Sequence, residues 1–170
     1  GGAQERGKRG GTENTPAIAG MAAALREAVD HMVENTEKVT HLRETLIAGL
    51  STIEHARLNG DREQRVPGTV NFCFEGIEGE SLLLLLDRKG IAASSGSACT
   101  SGSLDPSHVL LALGLPHEVA HGSLRLSVGE YNTDAEMAYI VENVRQVVAY
   151  LRSISPVWDE LETGARPHLI

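Results

Sequence analysis

The sequence has few aromatic residues, few cysteines, no long hydrophobic run and a deficit of positive charge. Aromatic residues make up 4% of its 170 residues, which leaves little material for stacking single-stranded nucleic-acid bases. Two cysteines form one bridge at most, so the chain is not a disulfide-rich scaffold. The longest apolar run, Leu82 to Leu86, is too short to span a bilayer. A net charge of -8 disfavours nucleic acids and anionic membranes as partners.

The composition and the first residues indicate a folded segment of a longer protein. A hydrophobic fraction of 41% and a charged fraction of 22% in a chain of this length predict one domain with a sizeable core. The chain begins with Gly1 and Gly2 rather than with Met, and no apolar signal region follows them. We therefore expect the sequence to start inside a longer protein.

Hydrophobic periodicity predicts helices alternating with short strands, and hence an α/β fold in which helices cover one small sheet. Thr15 followed by Pro16 predicts a helix start with Thr15 as the N-cap, and Gly90 predicts a helix end. The predicted helices cover residues 16–34, 36–55, 81–88 and 106–113, with a further helix starting at the capping box 133–136. The predicted strands cover residues 69–74, 91–93 and 123–128. Residues 117–121 are predicted to form a short turn, and the segment from Ser155 shows little pattern.

Two motifs in the sequence match known sites incompletely. Residues 2–8 spell G-x-x-x-x-G-K, but Arg9 stands where a P-loop needs Ser or Thr and no strand precedes the motif, so nucleotide hydrolysis is rejected. His117 and His121 spell H-E-x-x-H, with Glu142 as a conceivable third zinc ligand. Pro116 and Gly122 limit that segment to about one turn, which favours a surface turn over a zinc hydrolase.

The histidines His31, His41 and His55 are predicted to lie on solvated helix faces. The basic, glycine-rich lead-in ends at Gly11 and Thr12, just before a helix N-terminus. Backbone N–H groups, a hydroxyl and positive charge in this position predict an anion site, most naturally for phosphate. A flexible terminus is the alternative.

The two cysteines stand in contrasting surroundings. Cys99 lies within residues 94–103, a segment of ten residues with five serines and two glycines, which predicts a mobile loop with an exposed, reactive thiol. An idle surface thiol is the alternative, since a loop alone does not lower a pKa. Cys73 lies between Phe72 and Phe74 in a predicted strand, so we expect it in or near the core.

Arg125 lies between two serines on the polar face of a predicted strand. A guanidinium in that position can bind a carboxylate through two parallel hydrogen bonds. A surface ion pair is the alternative.

Four segments together resemble the NifS/IscS-type (class I) cysteine desulfurases over essentially the whole chain. They are SSGSACTSGSLDPSHVLLALGL (residues 94–115), the opening GGAQERGKRGGTEN, VPGTVNFCFEGIEGESLL and GSLRLSVGEYNT. The resemblance implies the aspartate-aminotransferase fold (fold type I) and a homodimer that uses pyridoxal 5'-phosphate. Such enzymes convert L-cysteine to L-alanine and hold the sulfur as a persulfide. We expect a cytoplasmic protein that passes sulfur to an iron–sulfur scaffold or another acceptor protein.

The resemblance also implies roles for the three residues singled out above. Cys99 aligns with the nucleophile that carries the persulfide, and Arg125 aligns with the arginine that binds the substrate carboxylate. Thr12 aligns with a threonine that reaches the cofactor phosphate of the other subunit. The implied boundaries are a lead-in at 1–15 from the end of the large domain, a small domain at 16–154 and a tail at 155–170.

One departure from the family pattern concerns the cofactor. The family's cofactor-bearing lysine follows a histidine, whereas none of the three lysines here, Lys8, Lys38 and Lys89, does so. We therefore expect the C-terminal part of such an enzyme, which alone neither binds the cofactor covalently nor turns over cysteine. A non-catalytic sulfur-relay module and the zinc hydrolase on His117 and His121 remain as alternatives.

Overall fold

The computed structural model describes residues 1–95 and 106–170. The chain divides into two compact units, Gly1–Thr36 and Glu37–Ile170. Within the described ranges, no helix combines the length and the apolarity needed to cross a membrane.

The first unit contains a short 3₁₀ turn at Gln4–Gly7, helix α1 at Thr15–Asp30 and the start of helix α2, which covers Met32–Leu50. The N-cap of α1 is Asn14, whose side-chain oxygen accepts a hydrogen bond from the N–H of Ala17 at 3.1 Å. The prediction of Thr15 as the cap was therefore wrong by one residue. Asn is as good an N-cap residue as Thr. With Asn14 as the cap, Pro16 still lies within the first turn of the helix, where its missing N–H has no cost.

The second unit is built on a three-stranded antiparallel sheet in the order β1-β2-β3. The strands are β1 (Ala56–Leu58), β2 (Thr69–Phe74) and β3 (Ser123–Ser127). Asn71 lies opposite Arg125, and Cys73 lies opposite both Arg57 and Ser123. Because side chains alternate along a strand, Asn71, Cys73 and Arg125 share one face of the sheet.

Helices cover both faces of this sheet. The remaining elements of the unit are α3 (Gly79–Asp87), α4 (His108–Ala112), α5 (His117–His121), α6 (Asp134–Ser153) and α7 (Pro156–Glu162). The apolar face of the sheet packs against α2, α3 and α6. Together they form the main core, which includes Leu46, Phe72, Leu82, Leu124 and Val144. On the other face, α4 and α5 cover Cys73 with a smaller cluster made of Leu110, Leu115, Val119 and Ala120. The predicted α/β architecture with helices on a short sheet is confirmed.

The strongest local signals of the sequence are confirmed. Strand β2 has the predicted bounds, and Gly90 has a φ of 74° after α3. Thr133 and Glu136 form the predicted capping box at the start of α6.

Three further predictions about secondary structure are wrong. Residues 91–93 form no strand, although Ile91 is buried, and within residues 91–95 only Ser94 pairs with β3. Helix α2 ends at Leu50 rather than at residue 55, so His55 lies outside the helix, with a φ of 49° and a half-buried side chain. The segment after Ser155 contains α7, capped by the Ser155 hydroxyl. His31 and His41 are solvated as predicted.

Candidate functional site

The polar face of the sheet presents Arg125 at the middle of β3. Its strand neighbours Leu124 and Leu126 are buried in the core, whereas Arg125 and Ser127 are exposed. This is the division between apolar and polar positions that the sequence predicts. Within residues 1–95 and 106–170, no carboxylate lies within ion-pair distance of the Arg125 guanidinium.

The backbone of Arg125 is fixed on both sides of its strand. Asn71 of β2 pairs with it on one side, and Ser94 forms an antiparallel bridge with it on the other. The N–H of Arg125 donates to the Ser94 oxygen at 2.7 Å, and the N–H of Ser94 donates to the Arg125 oxygen at 3.0 Å. Ser94 is the first residue of the serine-rich segment that the sequence singles out, so this segment begins beside Arg125.

A second set of contacts holds Ser95, the next residue. Its hydroxyl oxygen lies 3.4 Å from that of Ser123, one strand position before the core residue Leu124. The first residue of α3, Gly79, approaches so closely that a Cβ there would lie 2.3 Å from Ser95 Oγ and 2.8 Å from Ser123 O. Two consecutive residues, Ser94 and Ser95, are therefore held against β3 and the start of α3.

Cys99 itself lies outside the described residues. The description of the chain resumes at Pro106, which is buried, and Ser107 then forms the N-cap of α4. The segment that contains Cys99 therefore leaves the described structure beside Arg125 and rejoins it at α4.

Cys73 has the buried position that the sequence predicts. Its side chain is fully buried, and burial raises the pKa of the thiol. The amide nitrogen of Asn59 donates to Cys73 Sγ at 3.2 Å and to the side-chain oxygen of Asn71 at 2.6 Å. Because the thiolate is the reactive form, Cys73 is an unreactive structural cysteine.

Thr12 belongs to the first unit, where it is exposed. The neighbouring Gly11 has a φ of 92°, and its N–H donates to the side-chain oxygen of Gln4 at 3.1 Å. Arg9 donates to the backbone oxygens of Gly10 and Gly11 at 3.0 and 3.2 Å. Part of the donor capacity of this glycine-rich turn is thus used within the turn, and the side chain of Thr12 stays exposed.

The H-E-x-x-H segment forms the five-residue helix α5. The rings of His117 and His121 meet edge to face, with centroids 4.9 Å apart, and His121 Nδ1 lies 3.8 Å from a carboxylate oxygen of Glu78. Glu142, the conceivable third ligand, contacts Arg145 and Gln146 on its own helix instead. In the described part of the chain, the group of side chains able to surround a metal ion is His55, Glu75 and His168. Sequence reasoning missed this group, because its members are far apart along the chain.

The chain matches the model of one protein family. Residues 3–140 match the aminotransferase class-V family, so the chain belongs to that family.

Within this family, the chain is similar to proteins of the NifS and IscS types. The chain is 52% identical over 163 residues to the cysteine desulfurase IscS of Clostridium botulinum, covering 94% of this chain and 41% of that enzyme. It is 49% identical over 159 residues to the cysteine desulfurase NifS of Azotobacter vinelandii, covering 93% of this chain and 40% of that enzyme. The chain thus spans about two fifths of the length of these relatives.

Solved structures show the same likeness. A NifS-like protein superposes with a TM-score of 0.76 at 34% identity, covering 89% of this chain and 38% of that one. A NifS-like protein from Rickettsia africae superposes with a TM-score of 0.77 at 30% identity, covering 88% of this chain and 39% of that one.

The cofactor implied by the resemblance, pyridoxal 5'-phosphate, requires a sheltered amine if it is to be held covalently. Lys8, Lys38 and Lys89 are all exposed, and the Lys38 amine donates to the backbone oxygen of Glu130. None of the three lysines has such a sheltered position.

Proposed function

We propose that the chain is the C-terminal part of a cysteine desulfurase that uses pyridoxal 5'-phosphate. The complete enzyme converts L-cysteine to L-alanine and supplies sulfur for iron–sulfur clusters or other sulfur-containing products. The observation that carries the proposal is the backbone bridge between Ser94 and Arg125. It places the candidate carboxylate-binding residue beside the start of the segment that contains Cys99.

Arg125 would bind the carboxylate of L-cysteine. Its guanidinium is exposed on the polar face of the sheet, and both neighbours of its backbone, Asn71 and Ser94, hold the strand in place. A guanidinium on a fixed backbone orients a carboxylate through two parallel hydrogen bonds. Bound in this way, the amino acid has its sulfur on a defined side of the site.

Cys99 would receive the sulfur. The Cβ–S bond of L-cysteine breaks and an S–S bond forms between the departing sulfur and Cys99 Sγ. The electron pair of the broken bond stays on Cβ, which takes up the proton lost by the Cys99 thiol, so the remaining fragment leaves as L-alanine. Cys99 is five residues beyond Ser94 along the chain, and a chain extends by at most about 3.6 Å per residue. Five extended residues span about 18 Å, so the chain length alone would allow Cys99 to reach a substrate bound at Arg125.

Thr12 would contribute to a different part of the complete enzyme, at the phosphate of the cofactor in the partner subunit of a homodimer. The same proposal divides the chain into the lead-in 1–15, the small domain 16–154 with its cysteine segment at 94–103, and the tail 155–170. The lysine that holds the cofactor would be contributed by a part of the enzyme outside these residues.

A non-catalytic sulfur-relay module is the second candidate. The observation that favours it is the exposed position of all three lysines, which leaves this chain without a sheltered amine for the cofactor. Such a module would take sulfur from a persulfide donor at Cys99 and pass it to an iron–sulfur scaffold, without acting on L-cysteine.

Sulfur transfer to the 170-residue chain tests the role of Cys99, which both candidates share. Glutathione persulfide is the donor, and mass spectrometry of the alkylated peptides is the readout. We expect the peptide containing Cys99 to gain one sulfur atom, and Cys73→Ser to behave like the unsubstituted chain. No gain at Cys99, or an equal gain at Cys73, would contradict the proposal.

Turnover of L-cysteine separates the two candidates. The segment is joined to the N-terminal part of a relative to give a full-length chain, and alanine is measured. A desulfurase produces alanine, whereas a relay module does not. The 170-residue chain mixed with pyridoxal 5'-phosphate is expected to give no visible absorption band that borohydride removes, and such a band would show that one of its lysines does hold the cofactor.

A further inference from the structure

Three polar residues lie in a row across the polar face of the sheet. Asn59 directly follows β1, and its backbone N–H donates to the backbone oxygen of Asn71 in β2 at 2.9 Å. Asn71 in turn lies opposite Arg125 of β3. Asn59 is buried and Asn71 is half-buried, whereas Arg125 is exposed. Asn71 thus stands between a buried asparagine and the arginine for which we propose a role in binding the substrate carboxylate.

The pairing pattern brings the side chains of Asn71 and Arg125 close together. The backbone N–H of Arg125 donates to Ser94 and its backbone oxygen accepts from Ser94, so both groups face away from β2. Asn71 and Arg125 therefore form the non-hydrogen-bonded type of antiparallel pair. In such a pair the facing Cα atoms are about 4.5 Å apart, and the two side chains are neighbours on one face of the sheet.

A hydrogen bond from Asn59 fixes the orientation of the Asn71 amide. The amide nitrogen of Asn59 donates to Asn71 Oδ1 at 2.6 Å and to Cys73 Sγ at 3.2 Å. Because Asn71 Oδ1 faces Asn59 on the β1 side, the amide nitrogen of Asn71 is the end turned away from β1. The strand on the other side of β2 is β3, which carries Arg125.

The burial of Asn59 favours this orientation of both amides. Within residues 1–95 and 106–170, Asn59 Oδ1 is buried without a hydrogen-bond partner. If both amides were turned over, the Asn59 nitrogen would occupy that position with its two hydrogens. An unpartnered N–H group is rarer in protein interiors than an unpartnered C=O group. The orientation in which Asn71 directs its nitrogen away from Asn59 is therefore the more stable one.

The side chains of Asn71 and Arg125 offer complementary donors to a single carboxylate. A guanidinium donates two parallel hydrogen bonds to the two oxygens of a carboxylate. An ionised carboxylate has about four acceptor sites, so some of them stay open to a further donor after that contact. A side-chain amide nitrogen on the neighbouring strand supplies such a donor without adding a charge.

We propose that the amide nitrogen of Asn71 binds the carboxylate of L-cysteine together with Arg125, and that Asn59 holds the Asn71 amide in the orientation required. This rests on the proposed function, in which Arg125 binds the same carboxylate. Asn71 is then a substrate-binding residue, whereas Asn59 acts through Asn71 and is a positioning residue. Together Asn71 and Arg125 select amino acids with a free carboxylate over amines that lack one.

Steady-state kinetics of the full-length enzyme tests the role of Asn71. Asn71→Ala is expected to raise KM for L-cysteine about tenfold and to change kcat less than about twofold, because the carboxylate is bound alike before and during the reaction. Cysteamine has the amine and the thiol of cysteine but no carboxylate. Its inhibition constant is therefore expected to stay unchanged in Asn71→Ala. Circular dichroism verifies that each variant is folded.

Thr69→Ala is the matched control, because Thr69 lies on the same face of β2 but opposite Ser127. We expect Thr69→Ala to leave KM for L-cysteine unchanged. Asn59→Ala is expected to raise KM, and to raise it no further when Asn71→Ala is already present, because Asn59 acts through Asn71. An additional rise in the double variant would overturn the positioning role of Asn59.

The proposal is overturned if Asn71→Ala leaves KM unchanged, if it weakens inhibition by cysteamine as much as it weakens binding of L-cysteine, or if Thr69→Ala raises KM equally. When Arg125→Gln raises KM and Asn71→Ala does not, the proposed function stands and this inference alone fails. If the unsubstituted enzyme releases no alanine, or if Arg125→Gln leaves KM unchanged, the proposed role of Arg125 fails and this inference fails with it.

Discussion

Ser94 and Arg125 are joined by two backbone hydrogen bonds, with N···O distances of 2.7 and 3.0 Å. Because β2 occupies the other edge of β3, the backbone of Arg125 is held on both sides while its side chain stays exposed. The same bridge fixes the start of the segment that contains Cys99. One structural feature therefore joins Arg125 to the start of the segment that contains Cys99, the two parts of the chain for which we propose roles in sulfur transfer.

Substitution of Arg125 is expected to weaken substrate binding in the full-length enzyme. A hydrogen bond to a charged group contributes about 1.5–3 kcal/mol, so Arg125→Gln is expected to raise KM for L-cysteine by roughly tenfold to a hundredfold. Arg125→Lys retains the charge but loses the second parallel hydrogen bond, so its effect is expected to be smaller. Steady-state kinetics with L-cysteine measures both.

Arg57→Gln is the matched control for Arg125. Arg57 is exposed on the same face of the sheet, but it lies opposite Cys73 rather than beside Ser94. We expect Arg57→Gln to leave the KM for L-cysteine unchanged. A KM for Arg125→Gln that equals the one for Arg57→Gln would show that Arg125 does not bind the substrate.

The two thiols are expected to differ in reactivity. Cys73 is fully buried and burial raises its pKa, so it reacts slowly with a thiol reagent in the folded chain. We expect one fast-reacting thiol, which Cys99→Ser removes and Cys73→Ser leaves in place. Denaturation is expected to expose the second thiol. Two fast-reacting thiols in the folded chain would contradict the assignment of Cys73 to the core.

The close approach of Gly122 to β2 predicts a stability effect. A Cβ on Gly122 would lie 2.1 Å from the backbone oxygen of Phe74, which has no room to move within the sheet. Gly122→Ala is therefore expected to lower the free energy of unfolding by about 1–3 kcal/mol in urea denaturation. Gly129→Ala is the control, because no atom lies within 4 Å of its Cβ position. Equal stability of the two variants would refute the close approach.

Glu44 is expected to make stability depend on pH in the acid range. Hydrogen bonding from Arg62, joined by Arg43, lowers the pKa of Glu44 from 4.5 to about 2. The folded-state pKa is below the unfolded one, so the stabilisation is present above pH 4.5 and is lost as the pH falls towards 2. Because the side chain is 36% exposed, solvent screening limits this stabilisation to about 1 kcal/mol.

Glu44→Gln is accordingly expected to be less stable than the unsubstituted chain at pH 7 and nearly equal to it near pH 2. Urea denaturation at several pH values measures this difference. Glu37→Gln, a substitution at an exposed position of the same helix, is expected to show no such dependence. A constant difference between Glu44→Gln and the unsubstituted chain at all pH values would contradict the ion-pair explanation.

Elements with a complete local signal were predictable from the sequence. The alternation in residues 69–74 defined β2, and Thr133 with Glu136 defined the start of α6, because both signals are contained in a few adjacent residues. Helix α7 has a comparable signal in Ser155 followed by Pro156, which the sequence analysis missed. Strand β1 is three residues long and exists because β2 pairs with it, which a local pattern does not reveal.

The candidate site was predictable only in part. The alternation around Arg125 indicated a polar strand face, and the structure adds the neighbours that hold that strand, Asn71 and Ser94. Those partners come from distant positions and are brought together by tertiary pairing. Tertiary contacts also explain why the prediction for His55 was wrong. The helical periodicity placed His55 on a solvated helix, whereas its ring stacks on that of His168 in the structure.

Persulfide formation from L-cysteine in the full-length enzyme tests the central claim most directly. Mass spectrometry after a single turnover is expected to find the extra sulfur on the peptide containing Cys99, together with one equivalent of alanine. Cys99→Ser is expected to retain the colour of the bound cofactor while forming neither product. If Cys99→Ser still produced alanine at the unsubstituted rate, or if the sulfur were found on Cys73, the account would be contradicted.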